Sequence, residues 1–166
     1  DMGFIRDIRR ILATVPAKRQ TMLFSATMPS DILRLAQSVL TDPIKVSVTP
    51  VATTADGIDQ RVMFVNRADK SALLGELLKD RAITRALVFT RTKHGANRLA
   101  TQLARLRIVV EAIHGNKTQS ARERAIDGLR SGRTRVLVAT DVASRGIDVD
   151  GISHVINYDM PNLPES

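Results

Sequence analysis

From Ile58 onward, short apolar runs alternate with amphipathic stretches of about a dozen residues. Ala86 to Phe89, Ile108 to Ile113, Val136 to Ala139 and His154 to Asn157 read as strands. Ile58 to Val65 reads as a further strand, with Ile58, Val62 and Phe64 on one face. Between them, Ala68 to Asp80 gathers Leu73, Leu74, Leu77 and Leu78 on one helical face. Gly95 to Leu106 does the same with Ala96, Leu99, Ala100, Leu103 and Leu106. Thr118 to Leu129 is the third helix: Ser120 and Glu123 have capping-box spacing, Thr118 competes for the cap, and Gly128 and Gly132 weaken and then close the end. Strands separated by helices of this length demand right-handed crossovers, so the expected fold is α/β, a parallel sheet with helices on both faces.

The first third reads differently. Residues 4 to 15 place Phe4, Ile8, Ile11, Leu12 and Val15 on one helical face, and Pro16 stops that helix. Thr21 to Phe24 and Ile44 to Val48 are short enough and apolar enough to be strands. Between them, Ser30 is the expected cap of a helix running to about Leu40. Residues 49 to 57 are small, polar and without period, which suits a linker between a partial domain at 1–48 and a fuller one at 58–166. A surface loop inside one domain is the alternative. The opening Asp1-Met2-Gly3 is neither a signal peptide nor an initiator start, and reads as though cut from something longer.

Charge narrows the class of partner. A net charge of +8 and a pI near 10.8 favour a polyanion such as nucleic acid, against the plainer reading of a basic protein with no anionic partner. Aromatics are only 3% of the 166 residues and Trp is absent, so a grip on nucleic acid would rest on phosphates rather than stacked bases. Without Cys, disulfides, thiolate metal sites and Cys nucleophiles are excluded. His94, His114 and His154 are too scattered to suggest a metal cluster, and no metal site is expected. No apolar run approaches the roughly 20 residues of a membrane span, so no membrane partner is expected and cytoplasmic residence is the default.

In a parallel sheet the carboxyl ends of the strands share one edge, where ligands of such folds bind. The loops there are Thr90 to His94, His114 to Gln119, and the stretch from Thr140 that carries Asp141, Arg145, Gly146 and Asp148. Hydroxyls, cations and helix N-termini are the components of a phosphate-binding surface, and three such loops suit a nucleic-acid backbone. Each residue has a plainer reading: Thr92-Lys93 as an ordinary helix start, Gly115 as a positive-φ turn, Arg122 as a solvated helical charge facing Glu123 or Asp127, Thr140 as a cap.

The ordered series Ser25-Ala26-Thr27, VFTRTK (88–93), HGNKTQSARER (114–124), TDVASRGID (140–148) and VINYDMP (155–161) resembles the motifs of DEAD-box ATP-dependent RNA helicases, a superfamily 2 family. Asp1-Met2-Gly3-Phe4 is similar to the segment that follows the family's acidic motif. The resemblance implies a RecA-like second domain, preceded by a partial remnant of another RecA-like domain. It implies RNA-phosphate contacts at Thr92, Lys93, Gly115, Arg122 and Thr140. It implies nucleotide proximity at Gly146 and Asp148, with Asp148 accepting from the ribose hydroxyl. Arg145 would reach across an interdomain cleft, and Ser25 and Thr27 would couple hydrolysis to strand separation.

The parent protein would then use ATP and Mg²⁺ to unwind short RNA duplexes without sequence preference. This stretch has no GxxxxGK[ST] phosphate loop, no Asp-Glu pair placed to hold Mg²⁺, and stops before the family's Arg-finger motif. It is therefore expected to bind no cofactor and to hydrolyse no ATP alone. Two other readings stay open: a DNA-directed motor of the wider superfamily, and a non-catalytic platform for a protein partner.

Overall fold

The computed structural model describes residues 4–25, 27–47, 57–144 and 147–160. The chain divides into two compact units, Asp1–Gln60 and Arg61–Ser166.

The second unit contains a four-stranded, fully parallel sheet. Its strands are β1 (Ala86–Thr90), β2 (Val110–Ile113), β3 (Val136–Thr140) and β4 (His154–Asn157), in the order β2-β3-β1-β4. Alternation decides what each face holds. On one face Ala86, Val88, Ala112, Val136 and Val138 pack against α3 (Lys70–Leu77) and α4 (Lys93–Arg105), through Leu74, Leu99 and Leu103. On the other, Ile113, Leu137 and Ala139 meet Ala125 and Leu129 of α5 (Gln119–Arg130) and Ala143 of α6 (Asp141–Ser144). All five residues of β3 are buried, as expected of a strand covered on both sides. Each fully buried Leu or Val stabilises the sheet by about 1.5–3 kcal/mol.

The helices of this unit stand where periodicity put them, with differences at their ends. Thr118 and not Ser120 caps α5, its Oγ1 accepting the Ala121 N–H at 3.3 Å. Leu106 leaves the buried stripe of α4 and is 57% exposed, because the helix closes there and Arg107 turns into the left-handed region at φ 62°.

Ile58 to Val65 forms no strand: Val62 and Phe64 are 80% and 98% exposed. The first unit consists of α1 (Ile5–Thr14) and α2 (Ser30–Val39), with no strand among the described residues. Thr21 to Phe24 and the described part of Ile44 to Val48 form no strand, with Phe24 and Ile44 largely exposed. An apolar run becomes a strand only beside a partner edge, and the described residues offer these runs none. Ser30 is the first helical residue, not the cap. Pro29 holds the capping position and supplies no side-chain bond.

Candidate nucleic-acid interface

The three loops expected to share an edge do so. In the β1–β3 pair Thr90 stands beside Thr140, and in the β2–β3 pair Ile113 stands beside Ala139. Thr92, Gly115 and Thr140 therefore leave the sheet at one rim.

At the first loop, β1 ends in buried Thr90 and α4 begins two residues later. Thr92 Oγ1 accepts the Gly95 N–H at 3.0 Å, closing the first turn of α4. Thr92 is thus a helix cap, as its plainer reading had it, and remains exposed at the rim. Lys93 follows, and its Nζ donates to Asn116 Oδ1 at 3.3 Å, joining the first loop to the second.

The second loop turns on His114, which is only 3% exposed. Its Nδ1 accepts the Asn116 N–H at 3.3 Å, so Nε2 carries the proton and donates to Asn97 Oδ1 at 3.0 Å. Burial, then the cations Lys117 and Lys93 and neighbouring His94, hold His114 below its ordinary pKa, which keeps it in this neutral form. Gly115 does not have positive φ, and a Cβ built on it meets nothing within 4 Å. Neither backbone strain nor packing demands glycine there. The remaining physical use of a missing side chain is to let another group approach the backbone.

Arg122 sits one turn into α5, on the side facing the rim. It pairs with neither expected carboxylate: Gln119 donates to Glu123, and Asp127 lies 3.8 Å from Arg130. Its Nη2 donates instead to the Ala143 carbonyl at 3.4 Å, bridging the second loop's helix to the third loop. Its Nε is buried and has no partner among the described residues. A buried cationic donor left open is costly and calls for an anion or water to complete it. Thr140 is buried to 9% exposure at the end of β3, directly before α6, whose Ala143 carbonyl accepts from Arg122.

Electrostatically the rim is positive. The N-termini of α4 and α5, both capped by threonine, bring partial positive charge to the same edge as Lys93, Lys117 and Arg122. Asp141 is exposed at the start of α6 and is already engaged in an interaction. This set can bind a series of phosphates through amides, hydroxyls and guanidinium.

The chain matches the helicase conserved C-terminal domain over residues 69–166. It is 41% identical to the ATP-dependent RNA helicase RhlB of Pseudomonas syringae, across 99% of this chain and 42% of that protein. It is 43% identical to the DEAD-box ATP-dependent RNA helicase CshA of Bacillus licheniformis, across 100% of this chain and 34% of that protein. Among solved structures, Saccharomyces cerevisiae Dbp5 bound to RNA and ADP BeF3 is similar at TM-score 0.83 and 32% identity, over 99% of this chain and 42% of that one. A DEAD box protein from Methanococcus jannaschii is similar at TM-score 0.63 and 39% identity, over 99% of this chain and 44% of that one.

The chain belongs to the DEAD-box RNA helicases. Its sheet is the RecA-like fold of that family's C-terminal domain. The chain spans well under half the length of these relatives.

Of the remaining residues singled out in the sequence, Ser25 and Thr27 belong to the first unit and Asp148 to the second. Ser25 Oγ donates to the Thr27 carbonyl at 2.6 Å, both exposed in the first unit. Asp148 is exposed, and its carbonyl accepts from Arg130 Nη2 at 2.8 Å. Arg145 and Gly146 lie outside the described residues, as does the linker at 49–56. Sequence reasoning missed Asn97, which lies mid-helix with no neighbouring signal, yet fixes the His114 tautomer. It also missed the clamp at β4's end: Asp159 bonds Lys70 Nζ at 2.8 Å and accepts the Arg91 N–H at 3.1 Å, with Lys70 4.4 Å above the Tyr158 ring.

Proposed function

We propose that this chain is the RNA-gripping part of an ATP-dependent helicase that separates short RNA duplexes, with Thr92, Lys93, Gly115, Arg122 and Thr140 holding the sugar-phosphate backbone of one strand. The observation that carries the reading is Arg122. Its guanidinium sits at a rim shared with two threonine-capped helix N-termini and Lys93, and among the described residues it has no carboxylate partner and its buried Nε no acceptor. Such a site rewards a phosphate and costs free energy while none is there. Because the contacts are to backbone, binding carries no sequence preference.

Residues 1–48 are, on this reading, the end of the first RecA-like domain, 49–57 the linker, and 58–166 the second domain. Ser25 and Thr27 relay the state of the nucleotide to the RNA, Arg145 reaches across the interdomain cleft, and Gly146 and Asp148 form the edge of the nucleotide site. ATP with Mg²⁺ supplies the free energy of domain closure when bound by the whole protein. The residues present fit only that edge, since the sequence contains no phosphate loop. This chain alone therefore hydrolyses no ATP. Its setting is the cytoplasm.

The test is fluorescence anisotropy with a labelled RNA single strand across a salt series. The log–log slope of affinity against salt steepens by about 0.7 for each phosphate neutralised. Arg122→Ala with Thr140→Val weakens RNA binding at low salt and flattens the slope by about 0.7, the share of the one charge removed. An unchanged slope and affinity refute the assignment. Equal affinity for the DNA strand of the same sequence would favour a DNA-directed motor instead.

A further inference from the structure

The opposite edge of the same sheet, where the strands begin, carries a second concentration of positive charge. The turn into β1 holds Lys79, Arg81 and Arg85. The close of α4 and the turn into β2 hold Arg105 and Arg107, and the corresponding stretch into β3 holds Arg130, Arg133 and Arg135. Across all three segments Asp80 is the only carboxylate, and its Oδ1 already accepts the Ala82 N–H at 2.8 Å. Because β2, β3 and β1 are neighbours, the three turns lie side by side across about 10 Å.

Two of these cations pair with acids, Lys79 with Glu76 at 2.6 Å and Arg130 with Asp127 at 3.8 Å, both pairs exposed; the others do not among the described residues. Arg85 donates to the Asp150 carbonyl, and Arg135 to the carbonyls of Ile83 and Asp80. Such bonds fix a guanidinium in place without neutralising it. The side chains of Arg81 and Arg107 have no hydrogen-bond or ion-pair partner among the described residues, and that of Arg133 bonds only Ser131 Oγ there. Helix dipoles account for Arg105 and Arg130, at the ends of α4 and α5, but not for the others. Lys79, Arg107 and Arg135 line one groove of about 510 Å³, together with the aliphatic Leu106 and Val109 and with Glu76, which Lys79 neutralises.

We propose that this amino edge is a second phosphate-binding surface, which engages RNA that continues beyond the segment held at the opposite rim. Seven of its eight cations are arginine, whose planar fork suits phosphate oxygens better than a lysine ammonium does. The two edges are one strand length apart, about 16 Å for five residues, within reach of a single flexible strand. The aliphatic part of the groove gives ribose and base faces a contact that needs no sequence. Asp150 ahead of β4, whose carbonyl accepts from Arg85, bounds the surface on that side. The inference takes RNA as ligand from the reading above.

The test compares RNA single strands of about 6 and about 20 nucleotides, lengths below and above typical site sizes, on the full chain. The probe variant is Arg81→Gln, Arg107→Asn and Arg133→Gln, one residue per turn, with Asn suited to the left-handed backbone at 107. The control removes the same charge from α1 of the first unit: Arg6→Gln, Arg9→Gln and Arg10→Gln. The long strand binds the parent chain more tightly than the short one. The probe variant loses most of that gain, and its long-strand salt slope falls by about 2, while short-strand affinity is retained. The control keeps the gain. Equal losses in probe and control variants would mean net charge alone is at work and overturn the proposal. So would an unchanged length gain accompanied by loss of poly-L-glutamate binding, which would give the surface to an acidic polypeptide. Weak short-strand binding in the parent chain, unaffected by Arg122→Ala, would instead count against the rim.

Discussion

Two buried glycines, in helices on opposite faces of the sheet, respond oppositely to the same substitution. Gly128 lies in α5, the helix that aims Arg122, and a Cβ built on it stands 2.6 Å from Thr134 Oγ1 and 3.4 Å from Thr134 Cβ. Thr134 is short, branched and 5% exposed, and its amide donates to the Gly128 carbonyl at 2.9 Å, so this turn cannot slide away. Gly75 in α3 is equally crowded, at 2.7 Å, but by Leu106 Cδ1, the far end of a flexible side chain that is 57% exposed. Glycine to alanine in a helix gains about 1 kcal/mol of propensity. Overpacking a fixed neighbour costs about 1–3 kcal/mol. Gly128→Ala is therefore destabilising by up to about 2 kcal/mol, and Gly75→Ala is neutral to stabilising by about 1 kcal/mol. In a Thr134→Ala background the Oγ1 is gone, and Gly128→Ala loses most of its penalty. Urea unfolding followed by tyrosine fluorescence reads this directly, because Tyr158 is the sole tyrosine, Trp is absent, and Tyr158 lies in the second unit. Equal shifts of the same sign for the two glycines would refute the packing argument, as would a Gly128→Ala penalty that persists without Thr134 Oγ1.

His114 is held neutral, with its folded pKa below the unfolded 6.5, so its contribution to stability is whole above that pH and is lost as pH falls from 6.5 toward the folded value. The urea midpoint of the second unit should drop between pH 7 and pH 5, and drop less in His114→Gln. Burial raises the Asp159 pKa, but the Lys70 hydrogen bond and the Arg91 amide outweigh it and bring it below 3.8. The clamp persists above that value and is lost as pH falls through the lowered one. Asp159→Asn, which keeps an acceptor for Arg91, costs about 1 kcal/mol at pH 7 and removes that acid dependence, as acid titration of Tyr158 fluorescence will report. Thr92→Ala costs about 1 kcal/mol, more than Thr118→Ala, because the cap bond is 3.0 Å at Thr92 and 3.3 Å at Thr118; thermal unfolding of the two variants ranks them.

The second unit was legible because each of its elements carries its own signal. Val136 to Ala139 is an unbroken apolar run, and only a strand covered on both faces tolerates one. The Leu99 and Leu103 stripe fixes α4 in the same way. Phe24, Ile44 and Phe64 carry strand-like signals too, but a strand is a pairwise object, and the sequence does not reveal whether a partner edge is at hand. At the rim, motif spacing supplied Thr92, Gly115, Arg122 and Thr140, while topology brought them together. The bridges among them were not legible. Lys93 to Asn116 and His114 to Asn97 span 23 and 17 residues, and neither asparagine announces a role. The cap of α5 was decided by local backbone geometry, with extended φ and ψ at Thr118, which spacing alone does not fix.

The central claim is that successive strand-end loops meet to hold one run of phosphates. Amide chemical-shift mapping of the full chain with an RNA strand of about 6 nucleotides tests it most directly. The account predicts the largest shifts at Lys93, Gly115, Gln119 and the Arg122 side-chain N–H, saturating together. Shifts confined to the first unit or to the strands' amino edge, with these four unmoved, would contradict it.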